Sequence, residues 1–227
     1  MMNGEDRVYK GDEYFQKVLD EAGVDFPVKY LKPYLLGYLI SPEHIMPSHP
    51  LEEILLQDTE MEIKFKNEEQ AQKFYQCYFS LWNSLTNYIG GTRTPKLFDV
   101  NKKAKTNKEK VEALDIRGQE IVHFLMGSDE SGARSYAMTH PTLFLGFDLL
   151  NMFNDAMLDF DGDWKEEYDQ EMIDTAYENL LDSDKVWADT FGNISKVLND
   201  FRLGRAEPME EEQVLKMLDE IFENVEK

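Results

Sequence analysis

The feature that most constrains this chain is the period of its apolar residues. Between Asn67 and Gly91, the residues Ala71, Phe74, Tyr78, Leu81, Trp82, Leu85 and Ile89 recur every three or four positions. On a helix that spacing gathers them on one face; on a strand it scatters them over both. Asn67 supplies an N-cap, and Gly90-Gly91 the stop. The same period returns elsewhere. Phe15, Val18, Leu19 and Ala22 lie between Asp12, a candidate cap, and Gly23. Tyr34, Leu35, Tyr38 and Leu39 follow Pro33, which suits a first helical turn. Pro42, Pro47 and Pro50 then break the chain into turns. Thr106 and Glu109 have capping-box spacing ahead of Val111, Leu114, Ile121, Val122 and Leu125, with a loop expected over Gly127 to Gly132. Three helices are expected next, over Thr142–Leu158, Trp164–Leu181 and Trp187–Leu203. The stripe of the second is Trp164, Tyr168, Met172, Ala176 and Leu180. Pro208 opens a last one, with Val214, Leu215, Leu218, Ile221, Phe222 and Val225.

Each stripe needs another to cover it. The expected fold is therefore all-α, a helical array of about seven to nine helices, in one body or two packed halves. Met61, Ile63 and Phe65 alternate as in a strand, but one short run without a partner makes no sheet. Residues 91–106 read as a flexible, lysine-containing connection between an N-terminal helical half, 1–90, and an acidic C-terminal half, 107–227. Gly37 and Gly146 sit inside helical patterns, in Leu36-Gly37-Tyr38 and Leu145-Gly146-Phe147. A mid-helix glycine costs about 1 kcal/mol relative to alanine, so each is read as a place where helices approach closely.

Acids outnumber bases 45 to 24, for a net charge of −21. Such a surface repels phosphate backbones and anionic lipid, so neither nucleic acid nor membrane is an expected partner. The charge is uneven. Residues 155–184 hold twelve acids and one base, Lys165, whereas residues 96–110 hold six lysines against Asp99 and Glu109. The longest apolar run, Tyr34 to Ile40, is too short to cross a bilayer. The first residues carry neither a basic segment nor an apolar one, so a cytoplasmic location is expected.

Residues 30–90 resemble the YecA/YgfB-like family of bacterial proteins. The residues that carry the likeness are Leu36-Gly37-Tyr38-Leu39, then Ser41-Pro42-Glu43-His44-Ile45-Met46-Pro47-Ser48, then Asn67-Glu68-Glu69-Gln70-Ala71 running to Leu81-Trp82-Asn83. The family tends to place a tryptophan after Pro-Ser, where this chain has His49-Pro50. Some relatives carry a C-terminal zinc-binding cysteine cluster, which a chain with Cys77 alone does not build. The resemblance implies an all-α fold and a bacterial cytosolic setting, and it implies no catalytic residues.

Three patterns could carry chemistry. Asp159, Asp161 and Asp163 alternate between two expected helices, as calcium ligands do, yet Trp164 and Gln170 stand where an EF-hand loop has glycine and a bidentate glutamate. Glu120 and His123 form one Glu-x-x-His, half of what a di-iron bundle uses, and the other histidines complete no second copy. Cys77 lies among Tyr75, Tyr78 and Phe79, surroundings that suit a buried structural thiol. The reading is a non-enzymatic protein with no cofactor, metal or catalytic residue. It would bind a protein with a basic surface through Asp161, Asp163, Glu166, Glu167 and Glu171. One alternative is an acidic inhibitor or immunity protein that blocks a basic partner such as a nuclease. Another is a calcium-binding module or metal-dependent hydrolase built on Asp159, Asp161 and Asp163.

Overall fold

The computed structural model describes residues 8–56, 65–97, 99–158 and 168–225. Every regular element among them is helical, so the chain is all-α as expected. The α-helices are α1 (Asp12–Ala22), α2 (Val28–Leu39), α3 (Ser48–Leu56), α4 (Glu68–Leu85), α5 (Asn107–Glu130), α6 (Pro141–Leu158), α7 (Gln170–Arg202) and α8 (Glu211–Val225). Short 3-10 helices lie at Thr86–Tyr88 and Ala133–Thr139. Of the strand-like segment, residues 61–64 lie outside the described residues, and Phe65 packs on the Phe74 ring at 5.4 Å. No helix of the described residues is long and apolar enough to cross a membrane.

Two of the expected caps form. The Asn67 side chain accepts from the Gln70 amide at 2.9 Å, and Thr106 with Glu109 makes a reciprocal capping box. Asp12 is not a cap. Gly11 occupies that position, and the Asp12 carboxylate instead pairs with Lys32 at 2.6 Å and accepts from the Tyr9 hydroxyl at 2.7 Å. Pro33 is not in a first turn either. α2 starts at Val28 with Pro27 at its N-cap, so Pro33 lies inside the helix, where it cannot donate to the Lys29 carbonyl.

α2 and α5 form the centre of the array. α1 and α4 pack against α2, α6 and α7 against α5, and α8 sits on α6 and the second 3-10 helix. The α2–α5 crossing is backbone against backbone. A Cβ on Gly37 would lie 2.4 Å from the Phe124 carbonyl oxygen, and one on Gly127 would lie 2.1 Å from that of Tyr34. Gly37 thus does what its pattern implied. Gly127 was expected in a loop, but α5 runs through it to Glu130 because this crossing requires a residue without a side chain. Gly146 brings α6 onto α7, where its Cβ would meet Ile194 Cγ1 at 2.8 Å.

α7 replaces two expected helices. The expected helices end at Leu181 and restart at Trp187, yet no glycine or proline interrupts the chain between them and the helix runs on. Asp184 accepts from the guanidinium of Arg117 at 2.7 Å, whereas the Ser183 hydroxyl is buried with no hydrogen-bond partner among the described residues. Arg117 also pairs with Glu120 at 2.5 Å, and both side chains are almost fully buried, at 1% and 2% exposure. At 1.5 Å per residue α7 is about 50 Å long. It therefore spans two apolar clusters. The larger joins Phe15, Tyr34, Leu35, Phe74 and Leu81 to Phe124, Phe147, Trp187, Phe191 and Ile194. The smaller is built from Val100, Val111, Leu114, Ile173, Tyr177 and Leu180. The halves expected on either side of residues 91–106 share the larger core. Those connecting residues are themselves tied to α7. Trp187 Nε1 donates to the Pro95 carbonyl at 3.0 Å, the Tyr177 hydroxyl donates to the Asn101 carbonyl, and Lys102 pairs with Asp184.

Candidate functional site

The phase of α7 decides which side chains reach solvent. Ile173, Tyr177 and Leu180 turn inward. Met172, expected on the core stripe, is therefore turned out, with 49% of its surface exposed. On the neighbouring helix α6, Leu143, Phe147 and Leu150 turn inward, which leaves Leu149 and Met152 outside, the latter 62% exposed. Between the two helices runs an open groove of about 670 Å³. Leu149, Met152, Phe153 and Ala156 of α6 form one wall; Tyr168, Met172, Thr175, Ala176 and Asn179 form the other. The volume lies in the range of binding clefts, and the lining is mainly apolar.

Carboxylates rim it. Asp169 caps α7 by accepting from the Met172 amide at 3.0 Å, and this fixes the end of the groove. Glu171 is exposed beside it. Asp155 and Glu178 are exposed on the same two helices. Asp174, one turn along, pairs with Lys110, whose ammonium holds that carboxyl below its ordinary range. Of the five residues expected to meet a partner, Glu171 is placed at the groove; Asp161, Asp163, Glu166 and Glu167 lie outside the described residues, as does Asp159 of the candidate calcium loop.

The other candidate residues are engaged elsewhere. Glu120 accepts from the Arg117 guanidinium. The His123 ring stacks on Tyr30 at 4.9 Å and meets Phe26 edge-on at 5.3 Å, and its Nδ1 lies 2.6 Å from the Gln119 carbonyl. Burial pushes its pKa down, against the opposing pull of that carbonyl. Cys77 is buried, and burial pushes its thiol up. Lys10 and Lys73 act on it in the opposite sense, Lys73 from one turn earlier on the same helix, but desolvation outweighs them. Among the described residues, no group of three or more His, Cys, Asp or Glu side chains is arranged to hold a metal ion.

Sequence reasoning missed the groove because it placed Met172 in the core. A second apolar surface was hidden the same way. On α8, Val214 and Leu218 are buried, whereas Leu215, Ile221 and Phe222 are exposed by 45%, 37% and 51%. Comparison of the chain with protein-family models, with curated proteins and with solved structures finds no match.

Proposed function

We propose that this protein acts by binding another protein, and that its α6–α7 groove takes a cationic amphipathic helix. The observation that carries this reading is an apolar groove with two exposed methionines, Met152 just before and Met172 within the acidic stretch 155–184. Unbranched, polarisable methionine side chains adapt to whatever apolar face they meet. A groove between two helices accepts a third through anchors spaced by three and four residues. Acids at the rim raise the rate of encounter with a basic partner and disfavour an acidic one. Glu171 and Asp169 would contact the basic face, and the methionines the apolar face. The partner is then a protein with a basic surface, of which a cationic nuclease is one example. The engagement of Glu120 and His123 in packing, and a Cys77 held as thiol, support binding over catalysis. The resemblance to the YecA/YgfB-like family supports a bacterial cytoplasmic setting.

The test uses two synthetic helical peptides with the same leucine face, one with lysines on the polar face and one with glutamates. The lysine peptide should bind the full chain in calorimetry. Its affinity should fall as salt rises from about 0.1 to 0.5 M, where the Debye length shrinks from about 10 to 4 Å. The exposed substitutions Met152→Glu and Met172→Glu together should abolish binding while the circular dichroism spectrum is unchanged. Equal binding of both peptides, or full binding by the double variant, would refute the reading.

A further inference from the structure

A second concave site lies on another part of the molecule, where the connection after α4 crosses α7. Two adjoining hollows, of about 330 and 410 Å³, share a wall made of Pro95, Lys96, Leu97 and Asp99 and a floor made by Trp187. The floor is rigid. Trp187 is 2% exposed, its indole nitrogen donates to the Pro95 carbonyl at 3.0 Å, and Phe124 meets the ring edge-on at 4.9 Å. The first hollow extends to α2, where Pro33 and Leu36 add apolar surface. The second extends along α7 to Asp184 and Ala188.

The charges around this cleft differ from those of the protein as a whole. Lys29, Lys32 and Lys96 line the first hollow together with Asp12, Asp99 and Glu120. Asp12 and Lys32 pair with each other and Glu120 is held by Arg117, so the charges the cleft presents at its mouth are the exposed Lys96 and Asp99, a mixed pair in a chain whose net charge is −21. Glu120 is the buried member, and Arg117 behind it joins it to Asp184 in the second hollow. A polyanion entering this cleft would meet its carboxylates, and a polycation its lysines. A small molecule carrying both charges around an apolar body can satisfy both sets.

We propose that this cleft binds a small zwitterion of the α-amino-acid class, free or as a short peptide. Its carboxylate faces Lys96, its ammonium faces Asp99, and its apolar side chain lies against Trp187, Leu36 and Leu97. The site is independent of the α6–α7 groove, because the two share no residue.

Isothermal titration of the full chain with L-leucine and with L-leucyl-L-leucine tests this. At least one should bind saturably, with a Kd below about 1 mM, while N-acetyl-leucine amide, which keeps the side chain and loses both charges, should bind about tenfold more weakly or not at all. Lys96 and Asp99 are exposed, so Lys96→Ala and Asp99→Asn should leave the melting temperature unchanged. Each should weaken the zwitterion by about tenfold or more. No saturable heat from either zwitterion, equal affinity for the blocked analogue, or full affinity in both variants would overturn the proposal.

Discussion

Replacing Gly127 by alanine tests the centre of the fold most directly. The added Cβ would stand 2.1 Å from the Tyr34 carbonyl oxygen. Ordinary contact is about 3.5 Å, so α2 and α5 must separate locally by ~1.4 Å. The obstacle is backbone inside a helix and cannot turn aside as a side chain would. Overpacking of this kind costs about 1–3 kcal/mol, and more when two elements must move apart. Against it stands the gain from replacing a mid-helix glycine, about 1 kcal/mol. The net expectation is a loss of about 2 kcal/mol, which in a chain of this size lowers Tm by about 4–8 °C. Gly146→Ala is the matched control. It has the same propensity gain, but the atoms in the way are side-chain atoms, Ile194 Cγ1 at 2.8 Å and Cδ1 at 3.0 Å, which can shift where helix backbone cannot. That variant should stay within about 1 kcal/mol of the parent. Urea unfolding followed by circular dichroism at 222 nm measures both. If Gly127→Ala proves as stable as the parent or more so, propensity alone decides and the close crossing is wrong.

The buried pair gives a second test. Arg117→Met leaves the Glu120 carboxylate in the interior without its guanidinium, and this should cost about 3–5 kcal/mol in urea unfolding; adding Glu120→Leu should restore most of it, and a double variant no better than the single one would contradict the pairing. A third concerns pH. Burial lowers the folded-state pKa of His123 and of His140, so on acidification the unfolded chain takes up these protons first, near pH ~6.5. Their stabilisation is complete above that pH and is lost as pH falls through the window below it. Tm should therefore drop as pH falls below about 6.5, and His123→Phe should flatten part of that slope; an unchanged slope would mean that the ring is not desolvated.

Local signals in the sequence were reliable where local chemistry decides. Asn67 and the Thr106–Glu109 pair cap helices because the atoms that satisfy each other lie within one turn. They failed where a distant element supplies the partner. Asp12 looks like a cap, but Lys32 and Tyr9 claim its carboxylate. Gly127 looks like a helix stop, but the Tyr34 backbone presses against it. The helix expected to end at Leu181 runs on, and Arg117, sixty-seven residues away from Asp184, pairs with that carboxylate in the stretch between. In each case the tertiary contact has no trace in the neighbouring residues.

The groove illustrates a miss of another kind, one with a signal that was available. The stripe Trp164, Tyr168, Met172, Ala176 steps by four residues throughout. Each such step advances about 400° around a helix of 3.6 residues per turn, so the line drifts about 40° per step and leaves any fixed face within three steps. The buried ladder Ile173, Tyr177, Leu180, Trp187, Phe191, Ile194 and Leu198 mixes steps of three, four and seven and keeps its phase over the whole helix. Stepping back from Trp187 by sevens, close to two turns each, leads to Leu180 and then to Ile173. On that register Met172 lies about 100° away from the core, beside the acidic face. The correct phase thus places Met172 among carboxylates rather than among leucines, and because α7 is continuous through Asp184 the same phase holds from Ile173 to Leu198.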